Sequence, residues 1–234
     1  MLSHFRRFSP YAVRLVTVFV LYLAAGKLGL AAPFTSGNVS PFWPASGIAL
    51  ASVLLWGYRV WPAIASAAFL VNFWSPIPTQ AALGIAVGNT SAALVGAFLL
   101  RRVGRLNLGL DRLRDVMALL TLGALISPII AATIGTTTLS LAHVKAWSGV
   151  TTALAVWWIG DAMGILITAS LVLAAPEALT LLRRSNTVEL STVFGGTVVT
   201  ALLIFGPALG YTVRMTCSRW SFFPSSCGPP FVFV

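Results

Sequence analysis

What most constrains this chain is a succession of apolar stretches, most of them about as long as a bilayer is thick. A hydrocarbon core of roughly 30 Å needs about 20 mostly apolar residues in a helix rising about 1.5 Å per residue. Seven stretches reach or approach that length: Tyr11–Ala31, Pro44–Trp56, Val60–Trp74, Gln80–Leu100, Asp115–Leu139, Val150–Leu173 and Leu190–Leu209. Backbone polar groups in lipid must be satisfied internally, so runs of this kind span as helices. The second and third are short and separated by Gly57-Tyr58-Arg59, which predicts a tight helical hairpin with Pro44 and Pro62 in the first turns; a re-entrant pair is the other arrangement open to them. Pro128, inside the fifth stretch, is expected to act as a hinge, because its ring removes a backbone hydrogen bond. The expected fold is an all-α polytopic transmembrane bundle of seven spans, to which a shifted reading frame of the tail would restore a lost eighth.

Composition agrees. Of 234 residues, 58% are hydrophobic and 9% charged, with a mean hydropathy of +0.91. A soluble domain carries about 25% charged residues. A soluble enzyme, a nucleic-acid-binding domain and a disordered tail are poor fits.

The net charge of +10 reports topology rather than nucleic acid. With the N-terminus in the cytoplasm and sides alternating, the inner segments hold Arg6, Arg7, Arg14, Arg59, Arg101, Arg102, Arg105, Arg112, Arg114, Arg183 and Arg184. The outer loops between spans hold only Lys145, and Lys27 falls within the first span. This asymmetry orients a multi-pass protein of a plasma (inner) membrane, whose bilayer is its first partner. Arg6 and Arg7 precede an apolar run that continues through Tyr22 to Leu30 without a clear cleavage site, so the first span reads as retained.

Beyond Gly210 the character changes. The segment is rich in Ser and Pro and holds both cysteines, Cys217 and Cys227. It divides the chain into residues 1–210, an integral membrane domain, and an atypical tail, 211–234. One reading is a short external tail closed by a disulfide. The other is a shifted reading frame: with GC-rich codons, an alternative frame over Cys217–Phe233 would encode an apolar segment ending in a basic residue, the eighth span.

No catalytic, cofactor or metal signature is present. His4 and His143 fall on opposite sides of the membrane, and there is no HExxH, CxxC, Walker loop or GxGxxG. Five acidic residues leave little material for acid–base chemistry. Asn38-Val39-Ser40 fits a glycosylation sequon, which has meaning only in a eukaryotic secretory context.

The informative residue is Asp161, within WWIGDAMGILITAS near the middle of the sixth span. An acid at the bilayer centre costs at least about 2.5–3.5 kcal/mol, so it should face protein or water. Trp157 neighbours it one turn earlier, Trp158 follows, and Gly160 and Gly164 form a GxxxG that admits a close helix. Lys27 is its expected partner. A ligand-, ion- or proton-responsive site and a purely structural polar clamp are both open readings. In the fourth span Asn89 is the counterpart of Asp161 and a further candidate for the sensing site; it lies beside Gly88, Ala92 and Gly96, a small-residue ladder that also fits plain helix packing. Ser46 is either a further member of a polar site or a residue that satisfies its own helix, as Thr136–Thr138 can. Trp43, Trp56, Trp61, Trp74 and Trp147 sit near span ends and read as interfacial aromatics.

Taken together, FWPASGIALASVLLWGYRVWPAI, GNTSAALVGAFLLRR, the run from DRLRDVMALL to SPIIAATIGTTTL, and WWIGDAMGILITASLVL resemble the bacterial integral membrane sensor domain of the MASE family, type one. The resemblance covers about Tyr11–Gly210. It implies a sensory input domain of about eight spans, ordinarily placed ahead of histidine-kinase, GGDEF, EAL or PAS modules. No kinase H-box, GGDEF loop or PAS-like stretch follows the spans here. The expected function is therefore stimulus detection among the helices, passed to a cytoplasmic kinase or cyclase module in cis in the intact gene or in trans. The expected moving element is the fifth helix together with the sixth, and small-residue faces allow a homodimer. A small solute transporter is the alternative, because Gly/Pro-interrupted spans and a buried acid also mark midplane transport sites. A decayed, non-signalling fragment is the third.

Overall fold

Proline, glycine and arginine set the helix ends. In the computed structural model, residues 10–31, 42–176 and 191–192 are described, and every regular element among them is helical. We number six helices: α1 (Pro10–Ala31), α2 (Pro44–Trp56), α3 (Trp61–Phe73), α4 (Thr79–Arg102), α5 (Leu113–Leu141) and α6 (Trp147–Pro176). All lie in the first of two compact units, Met1–Ala178 and Leu179–Val234. The seventh stretch, apart from helical residues 191–192, and the tail fall outside the described residues.

Four helices are long and apolar enough to cross a membrane: α1, α4, α5 and α6. α2 and α3 have 13 residues each. At about 1.5 Å per residue that is about 20 Å, short of a full crossing. The described residues thus contain four helices of spanning length rather than the six expected over this region. The expected tight hairpin is also altered. The turn is tight, closed by a 3-10 segment at Tyr58–Val60, but α2 and α3 barely touch each other, each packing instead on α1 and α4. Gly57 makes this turn with φ +85, in the left-handed region that favours glycine.

A helix too short to reach both membrane faces must have its ends satisfied by protein. α2 meets that condition, with ten of its 13 residues buried between α1, α4 and α6. At its N-terminus the Trp43 N–H donates to the Gly160 carbonyl at 3.0 Å. At its C-terminus Arg101 Nη2 donates to the carbonyls of Val53 (3.0 Å) and Leu54 (2.7 Å). The cation also suits the negative end of the helix dipole. The Arg101 guanidinium lies 5.4 Å from the Tyr58 ring, and Arg59 lies 5.5 Å from the ring of Tyr11, whose hydroxyl donates to the Arg59 carbonyl at 2.9 Å. The start of α1, the α2–α3 turn and the end of α4, which the charge pattern assigns to one side, therefore meet at one end of the bundle.

Pro128 distorts α5 as its chemistry requires, though not by a simple kink. The helix is α-helical over Leu113–Ala118, π-helical over Leu119–Ile126 and α-helical again from Ser127. Proline lacks an N–H and its ring collides with the carbonyl four residues earlier; widening the preceding turns accommodates both. Carbonyls near the break find other donors. Ser127 Oγ donates to Gly123 O at 2.8 Å, and Trp158 Nε1 from α6 donates to Leu125 O at 2.7 Å. A second π segment, Ile165–Ala169, interrupts α6.

Small residues bring the helices together. A Cβ on Gly164 would run into the Trp43 carbonyl, and one on Gly47 would meet the Gly164 carbonyl, so α2 crosses α6 with backbone nearly on backbone. Gly96 and Gly88 bring α4 onto α5, where a Cβ would lie 2.8 Å from Ser127 Oγ and 3.1 Å from Ile134 Cβ, respectively. Gly164→Ala should therefore cost about 1–3 kcal/mol through overpacking. Gly149→Ala, where a Cβ meets nothing closer than Lys145 Cε at 3.5 Å, should leave stability unchanged. Unfolding of the two variants in detergent, followed by circular dichroism, measures the difference.

Candidate functional site

Asp161 lies at the centre of α6 and is 1% exposed. Its carboxylate accepts a hydrogen bond from the hydroxyl of Ser46, in the first turn of α2. The close crossing of α2 over Gly160 and Gly164 puts Ser46 there. The positive end of the α2 dipole consequently faces the carboxylate. The Trp157 side chain, one turn earlier on α6, lies within reach of the same carboxyl group, and its ring packs against Gly135 of α5.

Beside this pair, α4 contributes Asn89, whose Nδ2 donates to the hydroxyl of Tyr22 at 3.1 Å. Tyr22 comes from α1 and is fully buried. The Trp43 indole approaches the Tyr22 hydroxyl, but its N–H makes no hydrogen bond of proper geometry. The Oδ1 of Asn89 has no partner either, although the residue is only 7% exposed. Beside Asp161, Ser46 and Asn89 lies a small cavity of about 10 Å³. That is about the space of one water molecule. Its polar lining is Ser46, Asn89, Ser127 and Asp161, with Pro128 at its edge.

The structure thus gathers Asp161, Ser46, Asn89 and Pro128 around one cavity, with Trp157 adjacent. Trp158 stands apart, clamping α6 onto the π segment of α5 through Leu125 O. Lys27 is not the partner of Asp161. It is exposed, and its Nζ lies 4.8 Å from the ring centroid of Trp74 at the far end of α3. The ammonium sits on an aromatic face near the bundle end, where water is accessible, while a serine hydroxyl serves the buried acid. Trp43 is likewise not an interfacial anchor, since its backbone is bonded to the middle of α6 and its indole nitrogen is buried.

Tyr22, Ser127 and Trp43 are the members that the sequence reading did not assign to the site. A signal existed for two of them. Tyrosine prefers membrane interfaces, so one in the middle of an apolar run needs a polar partner. A serine immediately before an intrahelical proline is placed to bond a freed carbonyl. For Trp43, nothing in the sequence marks its proximity to α6.

Membrane-length apolar helices closed around a buried carboxylate with oxygen-rich neighbours define a polytopic membrane domain with a polar core. The MASE1 family model matches residues 14–233, nearly the whole chain. The chain belongs to the MASE1 family, whose members are membrane-associated sensory domains rather than catalytic ones. The matched region extends past Gly210 into the tail. No curated protein and no solved structure matches the chain.

If Tyr22 and Asn89 hold α1 to α4, their effects must be coupled. A double-mutant cycle of Tyr22→Phe and Asn89→Ala should give an interaction of about 0.6 kcal/mol, and no more than about 1.7, the range found for hydrogen bonds between membrane helices. Detergent unfolding of the four proteins supplies the cycle; simple additivity would remove the bond's role.

Proposed function

We propose that this chain is the sensory input module of a bacterial inner-membrane signalling protein, with its N-terminus in the cytoplasm, and that the polar core around Asp161 is where the stimulus is registered. Family membership supplies the sensory class. The observation that carries the site is convergence: side chains from α2, α4, α5 and α6 line one small cavity beside a buried carboxylate, with α1 attached through Tyr22. A change in the occupancy or contacts of that carboxylate acts on all of these helices.

The path outward runs through α5 and α6. Both carry π segments, a helix form that recurs at functional sites, and Trp158 ties one to the backbone of the other. Helix shifts of this kind are an established way to carry a signal across a packed interface. The receiver is a cytoplasmic kinase or cyclase module, in cis or in trans, and the working unit is a homodimer.

A solute transporter is the second reading. The observation in its favour is the half-length α2, which begins at the middle of α6, since broken helices meeting at the midplane mark transport sites. Solute accumulation by vesicles containing the purified chain separates it from a sensor.

Fusing residues 1–210, followed by the last span of a MASE1-bearing receptor so that the chain returns to the cytoplasm, to the output module of that receptor tests the sensory reading. Asp161→Asn should lock output at one level under stimuli that shift the parent fusion at least several-fold, with equal amounts of protein in the membrane. Unchanged responsiveness of the variant would sink the assignment of the site.

A further inference from the structure

We propose that the cavity beside Asp161 binds one small monovalent cation of the sodium class. The reasoning begins with where the hydrogens go. The Ser46 hydroxyl donates to Asp161, the Ser127 hydroxyl donates to Gly123 O, and the Asn89 amide nitrogen donates to Tyr22. The polar residues of a lining that is otherwise apolar then leave as acceptors hydroxyl lone pairs, the carboxylate and the unpartnered Oδ1 of Asn89, against one remaining amide hydrogen of Asn89. A buried acceptor without a donor is costly. A carboxylate with these oxygen acceptors beside it suits an occupant that brings positive charge.

The protein does not bring that charge itself. Among the described residues the one ion pair joins Arg114 and Asp115, and Lys27 lies on Trp74. The valence follows from the count of carboxylates. Asp161 is the only acid in the lining, so a monovalent ion leaves the site neutral, whereas a divalent ion would leave an excess charge deep in the bundle. The chemistry follows from the donors. Oxygen-only ligands suit hard cations, and no group of three or more His, Cys, Asp or Glu side chains among the described residues offers a transition-metal site. The size follows from the cavity, which admits one particle no larger than a water molecule. The positive end of α2 beside Ser46 takes up part of the carboxylate's field, so binding should be weak and readily reversed. Such a site goes beyond the sensory reading, to which it would add a stimulus; its test reads binding alone.

The whole chain, purified in detergent micelles, is melted in NaCl and in choline chloride at the same ionic strength. Sodium should raise the melting temperature by about 2–4 °C at several-fold its dissociation constant, and the protein should broaden the ²³Na resonance in a way that added lithium relieves. Asp161→Asn, which keeps the acceptor for Ser46, and Ala93→Val, which fills the cavity without touching a polar group, should each abolish both effects. Identical melting in the two salts with an unbroadened ²³Na line overturns the proposal and leaves water as the occupant. A sodium effect that survives in either variant overturns it as well, because the ion then binds elsewhere. Fusion output that depends on Asp161 without sodium binding removes the cation and keeps the sensor; sodium binding with constant output does the reverse.

Discussion

Every backbone polar group inside a bilayer must find its partner within the protein, and in this bundle two places make that demand hard to meet. α2 is too short to carry both of its ends to water, and Pro128 breaks the ladder of α5. The structure meets both demands with side chains and backbone from neighbouring helices. Gly160 receives the first N–H of α2, Arg101 takes its last carbonyls, and Ser127 and Trp158 take the carbonyls near the proline. These contacts fix which helices lie side by side. Once α2 is bonded to the middle of α6, Ser46 faces Asp161 and the polar core exists.

Small side chains make that arrangement affordable in space rather than in charge. Glycine at 47, 88, 96, 135 and 164 removes the Cβ atoms that would otherwise hold α2, α4, α5 and α6 apart. In lipid, where apolar surface gives helices little reason to associate, close packing of this kind and hydrogen bonds between helices carry the association. The same residues that let the helices approach therefore also bring oxygen atoms from several of them within reach of one another. Packing and polar chemistry here have a common origin.

Much of this was legible in the sequence because its signals were local. The all-helical membrane class follows from run length and composition. The importance of Asp161 follows from the cost of a buried charge, and the close crossing at Gly160 and Gly164 from their spacing. What the sequence did not disclose was pairing across the bundle. Lys27 was the only basic residue placed deep within a span, so charge alone assigned it to Asp161; its place on the helix instead carries it to Trp74, and a serine three residues into α2 takes the role. Trp43 looked like an end-of-span aromatic because α2 looked like a span. A run of 13 apolar residues can be a short crossing or an enclosed half-helix, and only the contacts at its ends decide. Pro128 forecast a distortion of α5, but not its π form, nor that Trp158, 33 positions along the chain from Leu125, would bond the Leu125 carbonyl.

The two ends of α2 are held by contacts of different kinds at different depths. One is a backbone bond and a serine–carboxylate contact in the middle of α6; the other is an arginine fork at the charged end of α4. Between them runs a rod of about 20 Å with no proline or hinge inside it. Helices of that length are stiff, so the mid-depth turn of α6 and the arginine-bearing rim form one mechanical linkage. The buried acid and the loop side of the bundle are thereby joined through α2 by a route separate from the long helices themselves.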